Sequence, residues 1–493
     1  MRYISTRGQG EAVSSAEAIK RGLCEDGGLY MPDEIPVLTL DEIATLCKKS
    51  YPERAAYILG KYLTDYSEEE LLQDCAQAYD ASRFPDGPTG LHTLSDMTLL
   101  ELFHGPTCAF KDMALQIMPR LFRRALVKTN EKRTALILVA TSGDTGKAAL
   151  EGYRDIDNIK IQVFYPTSGV SKVQKLQMQT QVGNNVSVQA ILGNFDDAQS
   201  GVKAIFSNRE FARKLDECGV FLSSANSINW GRLVPQIVYY ISAYCDLVVR
   251  GEIRLGEMVD VTVPTGNFGN IFACFMAKKM GLPVGMLVCA SNKNNVLTEF
   301  LTSGVYSRNR EFYKTISPSM DILISSNLER LLYLLLGVEK CTQYMKQLQN
   351  CGEYHLSVED TQCIREHFIG YCTDDEGTMK TIADVYEKEK YLADTHTAVA
   401  ICCAKGYRDE SEVQRKMLTV STASPYKFAS DVLLSLGVTP EGDGVDVLDE
   451  LFAFSGVEIP LPLATLRGKE VRFSQIITKE EMADATLQFA SGK

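Results

Sequence analysis

From about residue 98 onward, short apolar runs alternate with amphipathic helical stretches. That alternation constrains the fold more than any other feature of the chain. Thr134–Ala140 reads as a buried strand, and Ile159–Tyr165, Val186–Leu192, Val220–Ser223, Val259–Val263 and Val284–Cys289 read likewise. Helical stretches fall between them at Ser171–Gln181, Asp196–Ser207, Asn229–Val249 and Asn270–Met280. A short apolar run is ambiguous on its own, but strand–helix–strand spacing resolves these into parallel twisted sheets with helices on both faces, an α/β fold. Met417–Val420 adds one more strand and Lys427–Leu436 one more helix.

The segment before this pattern reads as helical. Ser14…Glu17, Thr39…Glu42 and Ser67…Glu70 have capping-box spacing, in which hydroxyl and carboxylate satisfy N–H groups that a helix start leaves unpaired. The acidic run Ser67–Glu70 is therefore a solvated helix start rather than a site. Asp86-Gly87-Pro88 marks a boundary. Residues 294–410 read as a helical insertion or outer layer. The expected division is a mostly helical domain at 1–95 and an α/β domain at 96–255. A second α/β domain follows at 256–450 with the insertion inside it, and then a C-terminal tail at 451–493.

Charge narrows the function. Lys plus Arg number 51 against 63 acids, a net −12, which argues against nucleic-acid binding and attraction to anionic membranes. Met1–Gly8 has no signal-peptide core, and the longest apolar stretch, Leu331–Val338, falls far short of a membrane span, so a cytoplasmic protein is expected. The 14 cysteines form no Cys-x-x-Cys pair and read as reduced, buried hydrophobes. Cys351/His355 and Cys363/His367 are spaced i, i+4, as on a helical face, but match no common structural zinc pattern, and no metal is expected.

Ligands on such sheets sit at the carboxyl ends of strands, where helix N-termini and loop amides converge. Thr141–Lys147 (TSGDTGK) follows a strand and superficially resembles a P-loop. However, Thr141 occupies the first glycine position and Ala148 the Mg²⁺-binding hydroxyl position, which argues against an NTPase. Pro264–Asn270 (PTGNFGN) can curl successive N–H groups toward one phosphate, or be an ordinary turn. In Phe103–Asp112 (FHGPTCAFKD), Lys111 lies among apolar neighbours. Desolvation there lowers the ammonium pKa and supplies the free amine a Schiff base needs, the alternative being a solvated lysine. Ser421–Phe428 (STASPYKF) again clusters hydroxyls after a strand.

Together with Gly22–Pro32, Ser224–Asn229 and Ser319–Leu332, these segments resemble the threonine synthase family, in its bacterial and fungal branch of the fold-type II pyridoxal phosphate enzymes. The resemblance runs through most of the chain. It implies pyridoxal 5'-phosphate as cofactor, O-phospho-L-homoserine as substrate, and L-threonine and phosphate as products, with a monomer or homodimer as the assembly. It further implies that Lys111 binds the cofactor covalently, that Gly266, Asn267, Phe268, Gly269 and Asn270 hold its phosphate, and that Thr422 meets its ring nitrogen. By the same resemblance Thr107, Ser142, Asp144, Thr145, Asn226, Ser227 and Lys427 contact substrate. Thr265, Lys147 and Ser424 depart from the family pattern, and Ser424 stands where many members carry histidine. His104 and His396 are read as packed or hydrogen-bonded. The rival within the fold is a phospholyase releasing a 2-oxo acid; a catalytically dead binding protein is the rival from another class.

Overall fold

The computed structural model describes residues 1–492. In chain order its strands are β1 (Tyr3–Ser5), β2 (Tyr30–Pro32), β3 (Gly90–Thr93), β4 (Thr98–Glu101), β5 (Thr134–Ala140), β6 (Ile159–Pro166), β7 (Val186–Ile191), β8 (Val220–Ser223), β9 (Val259–Pro264), β10 (Val284–Ser291), β11 (Val305–Ser307), β12 (Glu353–His355), β13 (Phe368–Cys372), β14 (Lys416–Ser421) and β15 (Ile476–Ile477). Two sheets dominate. The larger has the order β13-β10-β9-β14-β4-β3, parallel except for β3, and the smaller has the order β15-β7-β6-β5-β8, parallel throughout.

The parallel α/β architecture expected from the alternation is the one observed. Every apolar run read as a strand forms one, within two residues at each end. The sheets also draw on chain outside the sequential divisions. β3 and β4 join the sheet built by residues 259–421, and β15, in the C-terminal tail, pairs with β7 of the other. Phe368–Cys372, inside the stretch read as a helical layer, is the edge strand β13 beside β10. The N-terminal segment carries helices at Ser15–Arg21, Leu40–Leu46, Tyr51–Tyr62 and Glu68–Ala78 together with the β1–β2 pair. Thr39/Glu42 and Ser67/Glu70 make full reciprocal caps, whereas Glu17 turns to Lys20 and Arg21, leaving Ser14 to cap the Glu17 N–H alone.

The helix Trp230–Val249 is the central post. It is buried along nearly its whole length and packs on the helices Leu40–Leu46, Tyr51–Tyr62, Asp112–Leu115 and Gly269–Met280. It thereby ties the N-terminal segment to both loops that matter below. Among the described residues no helix is long and apolar enough to cross a membrane.

The short helix Asp112–Leu115 meets the helix Asp144–Tyr153 at Gly152, where an added Cβ would lie 1.9 Å from the Leu115 carbonyl oxygen. Because that neighbour is backbone, no rotamer change relieves the clash. Gly152→Ala should therefore destabilise the fold by at least the ~1–3 kcal/mol typical of overpacking. Chemical denaturation checks this, and an unchanged midpoint would mean that the two helices can part without cost.

Candidate active site

Four loops at strand carboxyl ends converge between the two sheets. After β4 the chain runs through Phe103–Phe110 to Lys111, and after β14 through Thr422–Ser424. These two continue the sheet pairing beyond its edge: the Phe110 N–H donates to the Thr422 carbonyl at 2.8 Å, and the Ser424 N–H to the Cys108 carbonyl at 3.1 Å. Lys111 is thus clamped at the entry to its helix, 8% exposed. Its Nζ lies 3.2 Å from Asp144 Oδ2, on the loop after β5. Lys427 is 1% exposed, and its Nζ reaches Asp144 Oδ1 at 2.8 Å and donates to the Thr107 carbonyl at 2.8 Å. Thr107 in turn donates its N–H and its hydroxyl to the Asp112 carboxylate, both at 2.8 Å. Lys111, Thr107, Asp144 and Lys427 therefore form one connected polar group.

Their electrostatics follow from burial. Desolvation lowers the Lys111 pKa, and Asp144 only partly opposes that. Burial alone would raise Asp144, but the cations of Lys427 and Lys111 hold it far below the usual carboxylate range. Asp112, without a cation in contact, is pushed up to about 6 by burial despite its bonds from Thr107.

The loop between β9 and the helix Gly269–Met280 presents the N–H groups of Gly266, Asn267, Phe268, Gly269 and Asn270 with no acceptor among the described residues. Five consecutive free donors at a helix N-terminus make an anion cradle. The residue in the left-handed region is Phe268, at φ 59°, rather than either glycine. Gly266 is needed for another reason: a Cβ there would lie 2.5 Å from the Ser319 carbonyl oxygen. Asn327 braces the loop from outside, donating its N–H (3.1 Å) and Nδ2 (2.9 Å) to the Asn267 carbonyl. Asn270 turns its side chain away from the loop, where Oδ1 accepts from the hydroxyls of Tyr239 and Tyr240.

At the loop after β5, Thr141 Oγ1 accepts from the N–H groups of Gly143 (3.0 Å) and Gly146 (2.9 Å). The N–H groups of Ser142, Asp144 and Thr145, and the hydroxyls of Ser142 and Thr145, have no partner among the described residues. Asn226 Oδ1 is buried without a partner. Ser227 lies beside the cradle, its Cβ 3.7 Å from where a Gly269 Cβ would stand. Thr422 is buried, and its hydroxyl makes no hydrogen bond among the described residues.

The sequence reading did not single out Arg232. It sits in the first turn of the helix Trp230–Val249, 4% exposed, near enough to Lys111 to depress its pKa. Its guanidinium donates to the Ala225 carbonyl at 2.9 Å, has no carboxylate partner among the described residues, and leaves Nε unpaired. A buried arginine in the first turn of a largely apolar helix, whose only other charged residue is Asp246 near its far end, was the available signal. Gln174 and Arg330 were also missed. Gln174 Nε2 donates to Asp144 Oδ1 at 2.7 Å, and Arg330 gathers the carbonyls of Tyr30, Ser227 and Ile228.

The remaining expectations resolve locally. Lys147 turns off its loop to pair with Glu151 at 3.1 Å. Lys427 does not open a helix; it lies in the 3₁₀ turn Pro425–Phe428, capped by Ser424, and the helix starts at Ala429. His104 meets Glu101 at 3.0 Å; His396 donates from Nδ1 to Asp394 at 2.9 Å and accepts the Ser319 N–H at 3.1 Å. The i, i+4 Cys–His pairs share no helix: Cys351 ends one whose next residues lead to His355 in β12, and His367 lies beyond the helix that holds Cys363. No cluster able to hold a metal ion occurs among the described residues.

Residues 2–79 match the family model "Threonine synthase N terminus" and residues 87–423 the model "Pyridoxal-phosphate dependent enzyme". The chain is 40% identical to threonine synthase from Pseudomonas aeruginosa over 88% of its own length and 90% of the relative's. It is 36% identical to threonine synthase from Schizosaccharomyces pombe over 88% and 89%. Its structure superposes on the PLP-bound threonine synthase from Brucella melitensis with a TM-score of 0.87 at 35% identity, covering 99% of both chains. Against the yeast threonine synthase the TM-score is 0.89 at 32% identity, covering 100% of this chain and 99% of that one. With matching models over both its segments and relatives matched along nearly their whole length, the chain belongs to the threonine synthase family of pyridoxal-phosphate-dependent enzymes.

Proposed function

We propose that this chain converts O-phospho-L-homoserine and water into L-threonine and phosphate, acting in the cytoplasm as a monomer or homodimer. The observation that carries the substrate class is Arg232, a buried guanidinium without a carboxylate, beside two buried lysines that share one acid. Burying charge without a partner costs several kcal/mol, so such a group calls for an anionic ligand. A phosphate ester fits that demand.

The residues fit the family's cofactor. The free N–H groups of Gly266 to Asn270 would hold its phosphate, the Lys111 amine its carbonyl carbon, and the unpartnered Thr422 hydroxyl its ring nitrogen without forcing a proton onto it. When bound, pyridoxal phosphate supplies an electron sink for carbanion chemistry at the substrate's Cα and Cβ. Lys111, once released, takes the Cα proton and later returns protons along the substrate chain. The Asp144 carboxylate at 3.2 Å stabilises its ammonium. Ser142 and Thr145 offer hydroxyls and free N–H groups to the substrate, and Asp144 its N–H, because its carboxylate is already engaged. Arg232 and the remaining Lys427 proton would meet the departing phosphate, a dianion that needs preorganised donors, with Asn226 and Ser227 as further substrate contacts. Thr107 serves through its carbonyl on Lys427, because its own N–H and hydroxyl are committed to Asp112.

Lys111→Ala should abolish turnover and the absorbance of the bound cofactor while preserving the fold. Borohydride should fix the cofactor to the Lys111 peptide of the wild type, and recovery on another lysine would sink the assignment. Product analysis tests the reaction itself: threonine is expected, and 2-oxobutyrate with ammonia as the main products would overturn it.

Gly266→Val should weaken cofactor affinity far more than global stability, since the branched side chain meets the Ser319 carbonyl at the cradle. Equal cofactor retention on dilution would reduce the loop to a turn. Arg232→Met should lower kcat/KM by about one to two decades, the worth of a charge-assisted hydrogen bond at roughly 1.5–3 kcal/mol. Because the orphaned Nε disappears as well, thermal stability should stay level or rise. Wild-type kinetics in this variant would remove Arg232 from the site.

A further inference from the structure

Asp144 divides its two carboxylate oxygens between two lysines. Oδ2 faces Lys111 at 3.2 Å, while Oδ1 receives Lys427 at 2.8 Å and Gln174 Nε2 at 2.7 Å. The side chain has no freedom to leave this position. Gln174 is itself held, its Oε1 accepting the Ser171 N–H at 3.2 Å, and its amide packs against Gly143, where any Cβ would lie 2.6 Å from it. Lys427 is tethered at its other side by the Thr107 carbonyl. The Lys111 amine is therefore offered half of a carboxylate whose other half is permanently occupied by a second cation.

We propose that Asp144 and Lys427 act as an opposed pair of positioning residues that fix how tightly Lys111 holds a proton. This rests on the reading of Lys111 as the residue that carries the cofactor and moves protons. The reaction requires the lone pair of the free Lys111 amine to accept the proton leaving Cα, becoming an ammonium, and then to give a proton back. A buried lysine with no acid beside it would be neutral and a poor proton holder, whereas one paired with an entire carboxylate would hold its proton too firmly. Sharing the acid with Lys427 places Lys111 between those limits. The other charge facing Lys111 is the Arg232 cation, from the helix Trp230–Val249; the carboxylate of the next residue, Asp112, engages Thr107.

The two partners predict shifts of opposite sign, which a merely structural role would not produce. The full chain is stripped of cofactor, and the rate at which it captures added pyridoxal phosphate is followed by absorbance against pH; the midpoint reports the fraction of neutral Lys111. Asp144→Asn removes the acid and should move the midpoint down by about 1–3 pH units. Lys427→Met removes a cation and frees the acid, and should move it up by about one unit. The acid limb of kcat, which reports the substrate complex in which the Lys111 amine is free, should follow the same order. Shifts of the same sign, or an unmoved midpoint in either folded variant, would overturn the proposal. Should Asp144→Asn not fold by circular dichroism, Lys427→Met decides alone: an upward shift sustains the proposal and any other result ends it. Capture by a residue other than Lys111 in the wild type would instead overturn the underlying reading of the site.

Discussion

One carboxylate shared by two buried lysines holds the two sheets in register. Asp144 comes from the smaller sheet, at the start of the helix after β5, and Lys111 and Lys427 come from loops after β4 and β14 of the larger one. Taking ions out of water costs several kcal/mol each, and the attraction offsets this only where the remaining lone pairs and protons are also satisfied. Here they largely are: the carboxylate accepts from both ammonium groups and from Gln174, Lys427 donates to Thr107, and the positive end of the helix dipole lies beneath Asp144. Lys111 therefore takes its position from the joint between the halves rather than from either half alone.

That joint explains what the sequence could and could not disclose. The strands that carry the loops were legible where they are long and apolar, as in Thr134–Ala140 and Val259–Pro264. β4 was not, because four residues ending in Glu101 give too little pattern, although this strand leads into Lys111. β13 was absorbed into a helical reading for the same reason, with Gly370 in its middle and only Phe368 fully buried. Lys111, the glycine loops and Thr422 were readable as types of residue after strands. The sharing of Asp144 was not, since Asp144 and Lys427 are 283 positions apart in sequence and only the folded chain brings their side chains to 2.8 Å.

Glycine roles show the same limit. Gly266 helps the Pro264–Asn270 loop curl by giving clearance beneath Ser319, while the left-handed residue of that loop is the buried aromatic Phe268. Gly105 and Gly152 serve likewise: a Cβ at Gly105 would lie 2.6 Å from Asp112 Oδ2, and one at Gly152 would strike the Leu115 backbone. All three flank the Lys111 segment or the anion cradle. Close approach is a tertiary property, and no local pattern encodes it.

The charge distribution completes the physical case for an anionic substrate. The chain carries a net −12, yet its interior brings Lys111, Lys427, Arg232 and Arg330 to the converging loops, with Asp144, Asp112, Glu329 and Asp394 as the buried acids there. Arg330 spends its donors on carbonyls and on Asn327, and so binds loops together while contributing field. Arg232 differs in retaining an unpaired Nε. A ligand without an acceptor there would leave that donor unsatisfied, a penalty of roughly 1–3 kcal/mol, and a neutral one would leave the guanidinium charge without a counter-ion. A phosphate would relieve it. Under the proposed reaction, the preference for a phosphorylated substrate over its dephosphorylated analogue would rest on this cation, which the folded chain leaves without a carboxylate.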